Sequence, residues 1–289
     1  MATLKEWHAR SLQEKWAMPH FNFSNLEQFH ALTEAAREAK APLVVGLSEG
    51  ERDAVGLAEA VALVAVARAD GYPIFLNADH SRSPETARKA VDAGFDSVHI
   101  DLSKEPYEDN IAGTKEVVEY AKAKNPGIEV EGELGYLATE SSKVYKEEVV
   151  IPEDSYTKPE QAVEYVAKTG VDRFASAIGN LHGIAANEPK LRFELVEELR
   201  RVLPANLTLV LHGGSGIAEG DFKKVIALGF NNAHVNTELR VAYTKALRAA
   251  LAENPEETAP YKYVESAKEA TKAVALENIR LFGAEGKAV

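Results

Sequence analysis

The stretch Leu207-Thr208-Leu209-Val210-Leu211-His212-Gly213-Gly214-Ser215-Gly216 runs an apolar segment straight into a histidine and a glycine-rich turn. An unbroken apolar run of this length suits a strand buried on both faces of a parallel sheet. Residues 220–227, which follow, have helical spacing. The unit reads as strand, polar turn, helix, with the chemistry placed at the carboxyl end of the strand.

The same unit recurs outward in both directions. Strands are expected over 17–22, 42–48, 73–78, 97–101, 129–133, 173–177, 208–211 and 232–236, with helices over 26–40, 55–69, 84–93, 111–123, 159–168, 192–201, 220–227 and 238–252. Ser24-Asn25 and Ser83-Pro84-Glu85 are helix starts, and Gly94, Gly170 and Gly229 are helix stops. Eight strand–helix units close a barrel better than they fill an open sheet. The expected fold class is therefore α/β, a (β/α)8 TIM barrel. It forms a single domain over 1–289, in which 255–289 is a C-terminal helical extension patterned around 261–280. The segment 138–158 is long and charged and opens on Thr139-Glu140-Ser141-Ser142-Lys143. Loops of that length are more often functional than idle.

Composition excludes several classes. The 289 residues carry a net charge of −12, which argues against nucleic acid or an anionic membrane as partner, since both need clustered Lys and Arg. A small phosphate remains compatible, because backbone amides and a metal ion can supply local positive charge. There is no cysteine, so any metal site must use His and carboxylates. The first residues lack an apolar segment of the secretory kind, and no run approaches a membrane span, so a cytoplasmic protein is expected.

Polar residues close strand after strand at the carboxyl end, where barrel enzymes assemble their sites. The third strand ends in Asn77-Ala78-Asp79-His80, the fourth in His99-Ile100-Asp101, and the fifth is Glu129-Val130-Glu131-Gly132-Glu133. The sixth leads into Gly179-Asn180-Leu181-His182-Gly183, and the eighth is followed through His234-Val235-Asn236-Thr237. His80, His182 and His212 sit at three strand ends at matching heights. Three imidazoles facing one point with an open fourth position make a catalytic zinc-type site. Asp101 and Glu133 are alternative or supporting ligands. Asp79, beside the metal candidate His80, is placed to pass a proton to a developing alkoxide. The turn Gly213-Gly214-Ser215 offers uncovered amides and a hydroxyl to a phosphate. His8 and His30 read as surface or helix-packing residues, and His20 as lining the barrel mouth.

On these motifs the chain resembles the class II, metal-dependent fructose-bisphosphate and tagatose-bisphosphate aldolases, across nearly its whole length. Asp79-His80 resembles that family's catalytic aspartate and first metal histidine. Asp101-Leu102-Ser103 resembles its Asp-Gly-Ser segment, and Glu131-Gly132-Glu133-Leu134-Gly135 its Glu-x-Glu-Leu-Gly strand end. His182 and His212 match the other two metal ligands, and Gly183, Gly213 and Ser215 match phosphate contacts.

The resemblance implies zinc (Zn2+), with room for a second divalent or monovalent cation. It also implies reversible cleavage of a ketose bisphosphate, fructose 1,6-bisphosphate first, to dihydroxyacetone phosphate and an aldehyde through an enediolate. Glu140 stands nearest the family's base on the mobile loop, and Asp79 would protonate the aldehyde oxygen. Ser48 matches a sugar-contacting hydroxyl, and Arg280 is the candidate for the distal phosphate. The implied partners are a phosphorylated sugar and further copies of the chain, as a homodimer or homotetramer.

The chain departs from the pattern in three places. Ser81 follows Asp79-His80 where glycine or cysteine is usual. Glu140 has no second acid after it. His234 stands where the family typically has an Asn that contacts the triose phosphate, so either His234 does that work, or Asn236 has shifted in, or the substrate differs; Thr237 is counted with them as a phosphate-binding candidate. The alternatives are a tagatose-bisphosphate or other ketose-phosphate aldolase, a sugar-phosphate epimerase or isomerase, and a non-catalytic sugar-phosphate-binding protein.

Overall fold

A computed structural model describes residues 2–288. The chain opens with helix α1 (Leu4–Glu14), which closes the amino-terminal end of the barrel and which the sequence periodicity did not single out. Then follow β1 (Met18–Asn22), α2 (Leu26–Glu38), β2 (Leu43–Leu47), α3 (Glu49–Val55), α4 (Leu57–Ala67), β3 (Ile74–Ser81), α5 (Pro84–Ala93), β4 (Ser97–Ile100), α6 (Tyr107–Lys124) and β5 (Glu129–Leu134). The second half runs α7 (Pro159–Thr169), β6 (Arg173–Ser176), α8 (Phe193–Val202), β7 (Thr208–Leu211), α9 (Glu219–Ala227), β8 (Phe230–His234), α10 (Thr237–Glu253), α11 (Pro260–Tyr263) and α12 (Glu265–Leu281). All strands are parallel and consecutive, and β8 pairs back to β1, with Met18 opposite Asn232, to close an eight-stranded (β/α)8 barrel.

Local chemistry sets these boundaries. Asn25 and Ser83 accept hydrogen bonds from Gln28 and Thr86 amides to cap α2 and α5, and Gly94 ends α5 in the left-handed region. The helix expected over 55–69 is split at Gly56, because α3 is a separate short helix leading out of the β2 turn. β8 begins two residues earlier than expected, at Phe230. The segment 138–158 holds a single 3-10 turn, Glu153–Ser155, and otherwise folds over the barrel mouth. In the C-terminal extension α12 packs along both α10 and α2.

A bulge in β3 decides the site. Its pairing with β4 shifts between Ala78 and Ser81, and His80 takes a positive φ of 45°. An imidazole residue in the left-handed region costs about 1–2 kcal/mol. The consequence is that Asp79 and His80, adjacent in sequence, both turn into the mouth, instead of pointing to opposite faces as they would on a regular strand.

Candidate active site

His80 and His212 lie at the carboxyl ends of β3 and β7, with ring centroids 4.7 Å apart. His182, in the turn after β6, stands 5.0 Å from His80 and 6.1 Å from His212 on the same measure. Three imidazoles bound tetrahedrally to one ion at ~2.1 Å would set their centroids roughly 5 Å apart, so this spacing fits a shared cation. One group of four donors, Asp79, His80, His99 and His212, has a ligand atom from each within 4.8 Å of the others. His182 stands just outside that group and His99, from β4, inside it. Asp79 Oδ1 and Glu133 Oε2 are buried with no hydrogen-bond partner, as acceptors awaiting a cation or a donor would be. The donor set therefore fits a divalent ion.

Supporting contacts fix the rings. Asp101 Oδ2 is 2.8 Å from His80 Nδ1, and Glu131 Oε1 is 2.6 Å from His212 Nε2. Asp101 thus orients His80 from behind. Glu133 lies 3.3 Å from His99 Nε2 and 3.9 Å from His80 Nδ1. Burial opposes charge on Asp79, Asp101 and Glu131, yet all three carboxyls are held below their ordinary range. His80 faces Asp79 and Asp101, and His99 faces Glu131. Burial equally opposes charge on His80 and His99, but Asp79 raises the first and Glu131 the second. The mouth is a concentration of buried negative charge that draws in positive charge. His182 and His234 are pushed down by burial, and His20 to about 3 for the same reason.

Beside the imidazoles lies a glycine-lined cradle. Gly183, Gly213, Ser215, Asn236, Thr237 and Arg240 line it, with Thr237 opening α10. Gly213 is required here: its φ is 61° and a side chain would collide with the Leu181 carbonyl oxygen. Gly213→Ala is expected to cost about 2 kcal/mol or more of stability, read as a lower urea midpoint, since it adds a clash to a left-handed alanine. An unchanged midpoint would refute the close approach.

Several expected site residues fall elsewhere. Gly214 turns away: its amide donates to the His234 carbonyl at 3.0 Å, so it is not free for a phosphate. Arg280 is a correction too. It pairs with Glu285 at 3.1 Å on the exposed face of α12 and does not reach the mouth, because the last helix lies along the outside of the barrel. Glu140 is 69% exposed and paired with Lys143. Ser48 lines the mouth but gives its hydroxyl to Glu51 at 2.8 Å. His234 and Asn236 both reach the mouth, the first stacked on His20 at 3.5 Å, the second accepting from the Asn22 amide at 2.7 Å. His8 is buried against Glu129 at 2.7 Å, not at the surface, while His30 is exposed.

Residues not singled out as site candidates complete the constellation. Asn22 donates to Asp79 Oδ2 at 2.9 Å, and Gly46 leaves room for Asn22 and His20, since a side chain there would strike both. Arg240 bridges Glu51, at 2.5 Å, and the loop residue Ser142. Glu129 and Glu131 repeat at period two with the expected ligand Glu133 and so share the inward face of β5, a signal that was readable. The loop is closed over the site: Thr139 donates to the His182 carbonyl at 2.7 Å, the Ser142 amide contacts Thr237, and Val144 bridges Ile184. Only about 30 Å³ of space remains within the mouth. Ligand pockets run to about 300 Å³ and more, so this loop has to open for a small-molecule ligand to enter.

Comparison with known proteins agrees with this geometry. The family model "Fructose-bisphosphate aldolase class-II" matches residues 2–287. A fructose-bisphosphate aldolase of Geobacillus stearothermophilus is 38% identical, with 100% of this chain and 99% of the relative covered. One of Staphylococcus aureus is likewise 38% identical at the same coverage. The crystal structure of the YdjI aldolase from Escherichia coli K12 is 34% identical, with a TM-score of 0.84 over 100% of this chain and 99% of that one.

Proposed function

The chain belongs to the class II fructose-bisphosphate aldolase family, and from that premise we propose that it reversibly cleaves fructose 1,6-bisphosphate to dihydroxyacetone phosphate and an aldehyde, with zinc held by His80, His182 and His212. The observation that carries this reading is the convergence of those rings, with Asp79, beside the glycine-lined cradle.

A bound divalent ion supplies Lewis-acid polarisation of the ketose carbonyl. The chain's own residues do the rest. Amides and hydroxyls of Gly183, Gly213, Ser215, Asn236 and Thr237, with the Arg240 guanidinium, hold the phosphate of the triose half. Asp79, held ionised and oriented by Asn22, takes the hydroxyl proton as the carbon–carbon bond breaks, and returns it to the aldehyde oxygen in condensation. Glu140 exchanges the carbon-bound proton, swinging in from its pairing with Lys143 as the loop re-closes on substrate. Thr139 and Ser142 seat that loop and exclude water.

A second reading has one observation in its favour. Among the described residues, Arg240 is the only lysine or arginine lining the mouth, and it stands at the cradle. No second lysine or arginine among the described residues lining the mouth faces the far end of the substrate, as would suit a ketose 1-phosphate with a less charged tail. A product assay on fructose and tagatose 1,6-bisphosphates and on ketose 1-phosphates decides. Release of dihydroxyacetone phosphate from one of them is expected. Interconversion of sugars without a triose phosphate would make the enzyme an epimerase or isomerase, and firm binding without turnover a binding protein.

We also place the enzyme in the cytoplasm, as one folding unit over 1–289 that assembles into a homodimer or homotetramer. No helix among the described residues is long and apolar enough to cross a membrane. The groove between α2 and α4, where Leu26 and Val66 are exposed, supports association. Light scattering at the monomer mass would contradict it, and two separate unfolding transitions would contradict the single unit.

A further inference from the structure

Arg173 is the largest charged side chain wholly inside the barrel, projecting from β6 beneath the metal candidates. A guanidinium only donates hydrogen bonds, so whatever it touches must accept. Its Nη2 donates to Asn77 Oδ1 at 2.8 Å and lies 2.9 Å from Glu131 Oε2, and its Nη1 reaches Asn232 Oδ1 at 3.4 Å. Each of these partners touches a histidine.

The direction of every bond follows. Asn77 Oδ1 accepts from Arg173 and also from Ser97, so the Asn77 amide nitrogen faces His20 Nε2, at 3.0 Å, as donor. His20 therefore carries its hydrogen on Nδ1. Asn232 donates its amide to the Met18 carbonyl at 2.9 Å and turns Oδ1 to Arg173, so that same oxygen, 3.2 Å from His234 Nε2, accepts from it. His234 carries its hydrogen on Nε2. Glu131 accepts from His212 Nε2. Both His212 and His234 thus keep a bare Nδ1. For His234 that atom is buried, without partner, and 3.7 Å from Asp79 Oδ1, which is also without partner. Two adjacent acceptors without partners match a ligand that brings hydroxyl donors to both.

We propose that Arg173 anchors a polar floor of Asn77, Glu131 and Asn232, as the positioning residue of this site: it turns Asn77 and so sets the hydrogen of His20, while the Glu131 and Asn232 it holds present His212 Nδ1 to a cation and His234 Nδ1 to a substrate hydroxyl. The vicinal hydroxyls of a ketose, one facing Asp79 and one facing His234, are the matching chemistry. This rests on the reading of the site as an aldolase with His212 as ligand, but its test does not use turnover.

Long-range proton–nitrogen NMR of the histidine-labelled, metal-free protein reads the tautomers directly. In the unmodified protein His212 and His234 are expected as Nε2–H and His20 as Nδ1–H. In Arg173→Met Asn77 is free to turn, so His20 is expected to become mixed while His212 stays Nε2–H on the Glu131 carboxylate, with zinc affinity falling about 10-fold to 100-fold as Glu131 loses its partner. Asn232→Leu cuts only the His234 branch. It should mix that ring alone, leave zinc affinity as it was, and stay informative if Arg173→Met does not fold. Folded Arg173→Met with an unchanged His20, or Asn232→Leu with an unchanged His234, overturns the proposal. Failure of every ketose phosphate to be cleaved would sink the aldolase reading and leave these spectra unaffected.

Discussion

Exhaustive chelation is expected to abolish carbon–carbon cleavage, and zinc or cobalt to restore it. The mouth holds Asp79, Asp101, Glu131 and Glu133 around imidazoles, and among the described residues Arg173 alone is a lysine or arginine paired with any of them. Removing a divalent ion takes away polarisation of the carbonyl, on the order of 4 kcal/mol, or about a thousandfold in rate. It also leaves buried carboxylates less well compensated, so the same treatment should lower the unfolding temperature. An ion at 100 times its Kd stabilises the folded state by about 2.7 kcal/mol. Steady-state assays and calorimetry before and after dialysis against a chelator check both effects. Undiminished activity in the metal-free protein would remove the metal from the mechanism.

Asp79→Asn is expected to lower kcat by about 10²-fold to 10⁴-fold, the usual worth of a positioned acid/base, with little change in KM or in bound zinc. The carboxylate is 2% exposed, held on one oxygen by Asn22 and free on the other. Asparagine keeps that volume and loses the proton. Metal analysis beside the kinetics separates the two roles, since loss of zinc along with activity would make Asp79 a ligand instead. Activity within tenfold of the unmodified enzyme would exclude it as the proton carrier.

The barrel was legible in the sequence because each buried strand is a short apolar run closed by a polar residue, as in Leu207–Leu211 before His212. The helices around it were legible from caps such as Asn25 and Ser83. The rim was legible for the same reason: His80, His182, His212, Asp79, Gly183, Gly213 and Ser215 follow strand ends, and a barrel brings strand ends together. What escaped was the floor of the site. Arg173 and His99 lie within strands, where a lone polar residue reads as an interruption of the core, and Glu131 was visible in its strand motif but had no role there. Only the pairing register, which sets Glu131 beside Arg173, shows that they neutralise one another. Arg280 misled because proximity to the chain end says nothing of where a helix is docked. Gly214 misled because a glycine-rich turn does not reveal which of its amides is already bonded. Glu140 could be located on the loop but not aimed, since that depends on whether the loop is closed over a ligand.

X-ray absorption at the zinc edge of the loaded protein tests the central claim most directly. Three imidazoles with nitrogen at about 2.0–2.1 Å are expected. That number should fall to two in His182→Ala and remain three in His99→Leu. A spectrum that loses an imidazole with His99 and keeps all of them without His182, or an oxygen-only shell, would contradict the shared site of His80, His182 and His212.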